Sequence, residues 1–307
     1  MNRTTKLTLP HASPGTRIVY LFLFFLGGLF VSGLFLILLS SVSGLESGGR
    51  AAIYTGTILQ SVVAFIIPSY LAVRMGEKNV WSYFKLKRDT GMTQKMALGV
   101  SAFIVSYVCV SFLNQWNQSI VLPESLRAIE NWMRSLEDSA MQTTHLLLSG
   151  ETILHLILNL VIIAALAALS EEIFFRGALQ QFLQEKYRNG HVAVWISSLI
   201  FSVIHFQFYG FFPRLVLGAL LGYLFLYTRN LWIPILVHFI NNATVIVLSH
   251  FWKDTEWMHN VEEMEVTVYF ATAAAMSAAF TILLFHNYKK RSTREASKID
   301  AQQRFSG

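Results

Sequence analysis

The chain has 307 residues, 54% of them hydrophobic and 14% charged, with a mean hydropathy of +0.48. A soluble globular domain carries roughly 25% charged residues, so these values exclude one and define an integral membrane protein. The net charge of +6 does not point to nucleic acid, because the basic residues are dispersed in short segments between apolar runs, as membrane topology requires.

Taken in order, the sequence shows eight stretches near the ~20 apolar residues that a membrane helix needs: 18 to 40, 51 to 73, 96 to 113, 152 to 170, 191 to 208, 213 to 228, 231 to 249 and 266 to 286. The expected fold is therefore all-α, a polytopic transmembrane bundle of about eight helices. The first run follows Arg3, Lys6 and Arg17 but is longer than the ~7 to 15 residues of a signal peptide's apolar region, so it reads as a retained signal anchor. The single cysteine, Cys109, falls inside the third run, which excludes intramolecular disulfides and a cysteine-based zinc cluster.

Between Pro123 and Leu148, Leu126, Ile129, Met133 and Leu136 recur at helical spacing opposite Glu130, Arg134 and Glu137. This predicts an amphipathic helix on the outer face. Pro213, Thr228-Arg229-Asn230 and Pro234 separate the closely spaced fifth to seventh runs into distinct helices. The stretch Lys253 to Glu265 is acidic and reads as a solvated outer loop. The tail from Lys289 is basic and reads as a disordered segment able to touch anionic lipid.

With the N-terminus inside and the spans alternating, 18 Lys and Arg residues fall on inner segments and 5 on outer ones, with Arg176 left within the membrane. That bias places both termini in the cytoplasm. The organisation expected is a cytoplasmic N-terminus (1–17), three membrane helices with the outer amphipathic helix (18–150), a core of membrane helices (151–250), an acidic outer loop with the last span (251–288), and a basic cytoplasmic tail (289–307).

Polar residues inside the fourth to seventh runs carry the chemistry. Ser170-Glu171-Glu172-Ile173-Phe174-Phe175-Arg176 ends a stretch, from Ile153, that contains almost nothing polar. An ionisable group near the bilayer centre costs at least ~2.5 to 3.5 kcal/mol and needs a partner. Glu172 and Arg176 are four apart and lie on one helical face, where they can pair. Glu171 is turned about 100° from Glu172 and is left to another task. His205 on the fifth run, with Phe201 four before it, and His238 with Asn242 on the seventh are also intramembrane. At ~1.5 Å per residue from the turn at 188 to 190, Glu171 lies ~24 Å in and His205 ~21 Å in. His238 and Asn242 lie ~10 to 17 Å in, and all fall in one layer if that turn projects slightly beyond the bilayer.

Each residue has a plainer reading. A lone intramembrane histidine or asparagine, Asn241 included, is often a helix–helix hydrogen bond, and Glu172–Arg176 can be a purely structural pair. The shared depth favours a site, because independent structural residues need not gather in one layer. A carboxylate and an imidazole reaching one water make a general base, and a second imidazole and a carboxamide supply donors to an oxyanion. These are parts for amide hydrolysis by activated water. The same residues can also ligate a divalent metal, although no H-E-x-x-H occurs.

Glu171-Glu172-Ile173-Phe174-Phe175-Arg176, Phe201-Ser202-Val203-Ile204-His205 and His238-Phe239-Ile240-Asn241-Asn242 match, in order, the E-E-x-x-x-R, F-x-x-x-H and H-x-x-x-N pattern. The chain thereby resembles the CaaX protease and bacteriocin-processing (CPBP) family of intramembrane glutamic endopeptidases, which includes the type II prenyl-protein endopeptidases. The resemblance covers about 150 to 250. It implies that Glu171 activates water with help from His205, that His238 and Asn242 form the oxyanion site, and that Glu172 with Arg176 holds the helix in place. It further implies a membrane-associated peptide or protein substrate and no cofactor, with a divalent metal as the lesser mechanism. The family also includes proteins linked to bacteriocin self-immunity, so a non-catalytic immunity or scaffold protein is the competing reading. A proton-relay transporter is disfavoured because the polar residues cluster in one layer instead of stepping through the bilayer. A short chain without a cleavable targeting segment fits a bacterial inner membrane.

Overall fold

The computed structural model describes residues 12–305 except 45, 47, 88–90, 253–254 and 256–265, and for 291–305 only the course of the backbone. Every regular element among the described residues is helical. In chain order these are α1 (Pro14–Ser43), α2 (Arg50–Arg74), α3 (Val80–Tyr83), α4 (Met92–Gln118), α5 (Arg127–Leu148), α6 (Ile153–Tyr187), α7 (Gly190–Val203), α8 (Phe211–Thr228), α9 (Trp232–Trp252) and α10 (Val268–Phe305), with short 3-10 turns at Glu124–Leu126 and Phe208–Gly210. Among the described residues seven helices are long and apolar enough to cross a membrane, and the fifth apolar run forms the shorter helix α7. The acidic stretch from Lys253 to Glu265 lies, apart from Thr255, outside the described residues.

The tail departs from expectation. α10 runs on to Phe305, although its end is dense in charge. The segment after Tyr288 is rich in Arg, Lys, Ala and Gln and contains neither Gly nor Pro before Gly307. Helix propensity therefore outweighs the charge run that suggested disorder.

Two compact units divide the chain. The first comprises Met1–Lys87, Gln142–Ser197 and Asn230–Phe251, the second Arg88–Met141, Ser198–Arg229 and Trp252–Gly307. In the first, Ser13 caps α1 by accepting a hydrogen bond from the Thr16 N–H, with Pro14 opening the helix, and Gly44 ends it at φ +67°. α1 crosses α2 closely at Gly28. A Cβ there would lie 2.7 Å from the Ala64 Cα and against the Val63 carbonyl, so only a hydrogen fits. Lipid supplies no hydrophobic force between helices, and close approach at small residues is what gains packing.

α2 and α6 are not uniform. α2 is π-wound over Gln60–Ile66, just before Pro68, where a missing N–H would interrupt ordinary α-helical pairing. α6 is π-wound over Asn159–Leu166 and again over Ile173–Gln180, so the α-helical turn Ala167–Glu172 sits between two wider stretches. Carbonyls of the second stretch are taken by side chains. Ser197 Oγ donates to the Phe175 carbonyl at 3.2 Å, and Gln181 Nε2 donates to the Gly177 carbonyl at 2.6 Å.

Aromatic packing fixes this part of α6. Phe174 and Phe175 are fully buried, and the rings of Phe25, Phe65 and Phe174 meet pairwise at 5.2 to 5.4 Å. At its far end Glu185 pairs with the buried Arg17 and accepts the Tyr83 hydroxyl at 2.6 Å. Burial, with Glu185 alongside, pushes the Tyr83 phenol far above its ordinary range and keeps it a donor. The start of α9 is pinned as well, since Asn230 Nδ2 donates to the Lys87 carbonyl at 2.8 Å and the Leu231 N–H to the Lys85 carbonyl at 3.3 Å.

In the second unit α4 packs on α8 and α10. The Ser277 hydroxyl donates to the Val105 carbonyl and accepts the Cys109 N–H. Gly218 of α8 lies against Ser198 and Phe201, where a Cβ would meet the Ser198 Cβ at 3.2 Å.

Gly28→Ala is expected to destabilise the folded protein by about 1–3 kcal/mol, the usual cost of overpacking. Gly27→Ala, where a Cβ meets nothing within 4 Å, is expected to be near neutral. Thermal unfolding of both variants in the same detergent checks the difference.

Candidate active site

The site in the first unit is built on α6 and α9. Glu172 and Arg176 are both fully buried, and Arg176 Nη1 donates to Glu172 Oε1 at 2.6 Å. The pairing expected from their spacing is therefore present. A second group shares that oxygen, because His238 Nδ1 lies 2.8 Å from Glu172 Oε1. An ionised carboxylate oxygen only accepts, so Nδ1 carries the proton in this contact. Glu172 thus fixes the orientation of the His238 ring, as a carboxylate does for a histidine whose second nitrogen has work to do.

The other ring nitrogen faces the neighbouring carboxylate. His238 Nε2 is 3.8 Å from Glu171 Oε2, an ion-pair distance longer than a hydrogen bond. The two glutamates are adjacent in sequence but differ in setting: the Glu171 side chain is 19% exposed and that of Glu172 is 0% exposed. Glu171 is therefore the carboxylate that a small molecule can reach.

Asn242 lies one turn beyond His238 on α9 and is half-buried. Its Oδ1 accepts from Asn241 Nδ2 at 3.1 Å, which puts its own Nδ2 on the opposite edge of the carboxamide. Asn241, read from the sequence as structural, thus orients the residue beside it.

His205 belongs to the second unit and does not lie on a helix. α7 ends at Val203, and Phe206 adopts the left-handed region at φ +52°, which costs a non-glycine residue roughly 1–2 kcal/mol. The fifth run was expected to stay helical through 208, because its residues remain apolar and neither Gly nor Pro interrupts them before Gly210. His205 Nδ1 lies 2.6 Å from the Phe201 carbonyl, and the two rings meet edge to face at 4.8 Å. A carbonyl only accepts, so the proton sits on Nδ1 and Nε2 is the basic nitrogen. A cavity of about 210 Å³ opens beside this turn, lined by Ser202, Val203, Phe206, Gln207, Phe208 and Phe211.

The first unit thus brings together Glu171, Glu172, Arg176 and His238, with Asn242 one turn away. Among the described residues no group of three or more His, Cys, Asp or Glu side chains is arranged to hold a metal ion.

These features describe an integral membrane protein with a buried acid–imidazole–guanidinium set. Residues 153–244 match the family described as type II CAAX prenyl endopeptidase Rce1-like, a span that contains Glu171, Glu172, Arg176, His205, His238 and Asn242. The resemblance read from the three motifs is borne out over that span.

The chain is also similar to two curated proteins of Bacillus subtilis (strain 168). One is "Uncharacterized protein YpbD", 33% identical over 89 residues, covering 28% of this chain and 42% of that protein. The other is "Putative membrane peptidase YdiL", 28% identical over 92 residues, covering 30% and 37%. The chain spans less than half the length of these two relatives. No solved structure shows a significant match.

Arg176→Leu leaves the Glu172 carboxylate buried without its guanidinium and is expected to cost about 3–5 kcal/mol of stability. Adding Glu172→Leu is expected to restore part of that loss. Denaturant unfolding of the single and double variants in detergent measures both.

Proposed function

We propose that this chain is an intramembrane endopeptidase that hydrolyses a peptide bond of a membrane-associated protein or peptide with activated water. The observation that carries the reading is the pair of adjacent glutamates with unequal settings. Glu172 is sealed against Arg176 and His238, while Glu171 is partly exposed beside the same imidazole. The family match at 153–244 and the similarity to YdiL, described as a membrane peptidase, support it.

In this mechanism Glu171, helped by His205, takes a proton from water, and the hydroxide adds to the scissile carbonyl. His238 Nε2–H and Asn242 Nδ2 donate to the resulting oxyanion. Collapse breaks the C–N bond, and the proton held at Glu171 passes to the leaving amine. For His238 to donate from Nε2 while Nδ1–H is held by Glu172, both ring nitrogens must carry a proton. Glu172 and Arg176 act by holding that ring. A positioned base contributes about 10² to 10⁴ in rate, and an oxyanion donor about 10² to 10³.

The reaction so written uses no cofactor. In its metal-dependent variant the same glutamate and histidines would hold a divalent ion that acidifies the water. We also place the protein in a bacterial inner membrane with both termini cytoplasmic, supported by the distribution of 18 inner and 5 outer basic residues.

The purified chain in lipid, given a panel of membrane-anchored peptides, is expected to cleave at least one. Glu171→Ala and His205→Ala are expected to lower kcat about a hundredfold or more. Cleavage by either variant at the parental rate would remove that residue from the mechanism. Activity that persists after exhaustive chelation is the expected result, and its loss with recovery on adding a divalent ion would establish the metal variant. A Glu171→Gln chain that still complements a deletion in cells would instead establish a non-catalytic immunity or scaffold role.

A further inference from the structure

The second unit holds the His205 turn in an unusual frame. One side of that frame is the helix α5. Ile129 and Trp132 are about half exposed, while Glu130, Arg134 and Glu137 face the chain just after His205.

Glu137 Oε2 accepts the Tyr209 backbone N–H at 3.3 Å. The Arg134 guanidinium lies 4.5 Å above the centre of the Tyr209 ring. Arg134 is itself held by Glu130 Oε1 through Nε at 2.9 Å and Nη2 at 2.6 Å, and the other Glu130 oxygen accepts the Leu122 N–H at 3.1 Å. Those hydrogen bonds from Arg134 keep the Glu130 carboxyl below the usual carboxylate range and so charged. The rings of Trp132 and Phe208 meet at 5.5 Å.

On the other side of the turn the buried Asn117 of α4 donates to the Phe208 carbonyl at 3.0 Å and accepts the Phe212 N–H at 2.9 Å. Arg214 donates to the Gln207 side-chain oxygen at 2.7 Å. A turn carrying a left-handed phenylalanine stays in that conformation only when its surroundings over-determine it. These contacts are what does so.

We propose that α5 is a positioning strap for His205, with Glu137 and Arg134 fixing the turn on which that imidazole is carried. Neither residue touches the reacting atoms. They act by holding the Tyr209 backbone and ring, four residues on, so that His205 keeps its Nδ1–Phe201 contact and the direction of Nε2. The inference rests on the role given to His205 above. It makes the charged stripe of α5 a support for the imidazole that the proposed mechanism uses.

The test uses the full chain in lipid and a peptide that it cleaves. Glu137→Ala is expected to lower kcat roughly ten- to hundredfold with KM little changed, the size of loss that a small misplacement causes. Glu137→Gln retains an oxygen acceptor and is expected to recover most of the activity. In the presence of His205→Ala, adding Glu137→Ala is expected to lower the rate no further. Ring-¹⁵N-labelled histidine, with the His205 signal identified by its loss in His205→Ala, gives a readout independent of turnover. That signal should move in Glu137→Ala and return in Glu137→Gln.

The proposal is overturned if Glu137→Ala leaves the His205 signal in place, or if it keeps parental kcat while His205→Ala is inactive. It is also overturned if Glu137→Gln fails to recover. A His205→Ala chain as active as the parent would sink the role of His205 instead, and the labelled signal would still decide whether the strap holds the turn.

Discussion

A single carboxylate oxygen, Glu172 Oε1, receives both the Arg176 guanidinium and the His238 imidazole, and much of the first unit serves to keep that meeting in place. Burying an ion pair is not by itself stabilising, since the desolvation cost can exceed the attraction. What the arrangement secures is register. Arg176 fixes the carboxylate along α6, the carboxylate fixes the imidazole on α9, and neither helix can slide or turn without breaking a contact that has no water to replace it. The phenylalanines that follow the glutamates lock α6 against α1 and α2, and Asn230 ties the start of α9 to the segment ending at Lys87. The aromatic contacts and the caps thus set where two glutamates stand relative to one histidine.

The consequence is a difference in setting between neighbours. Glu171 and Glu172 share a peptide bond, yet one is enclosed and one is reachable. A helix turns about 100° per residue, which is enough to point adjacent carboxylates at opposite sides of the same imidazole. In the proposed mechanism two identical side chains thereby take different roles through environment alone.

Much of the fold was legible in the amino-acid pattern because membrane helices announce themselves by length and apolarity, and the Glu172–Arg176 contact followed from a spacing of four. The approach of His238 to both glutamates was not. Depth along a helix can be counted, but the azimuth at which α9 meets α6 depends on packing that no local spacing records. The π-wound stretches around Ala167–Glu172 were likewise invisible, because no proline marks them and the carbonyls they expose are taken by Ser197 and Gln181, distant or ordinary-looking residues. His205 was placed on a helix because apolarity continued, whereas the chain turns at a left-handed Phe206. On α5 amphipathicity was read correctly, but that its carboxylates accept the Leu122 and Tyr209 N–H groups was not.

The length of α6 bears on how water would reach Glu171 in the proposed reaction. Its 35 residues extend about 52 Å at 1.5 Å each, well beyond the ~30 Å of hydrocarbon. The stretch from Ile153 to Glu171 alone accounts for about 27 Å. Its outward residues Ile153, Leu154, Ile157 and Val161 are more than half exposed, while Ile173 to Leu183 are buried by other parts of the protein. The first half of the helix is thus dressed for lipid and the second for protein. The carboxylates stand at the change between them, one hydrocarbon thickness from the start of the helix. In the proposed reaction, water reaching Glu171 from the polar boundary at that end has little oil to cross.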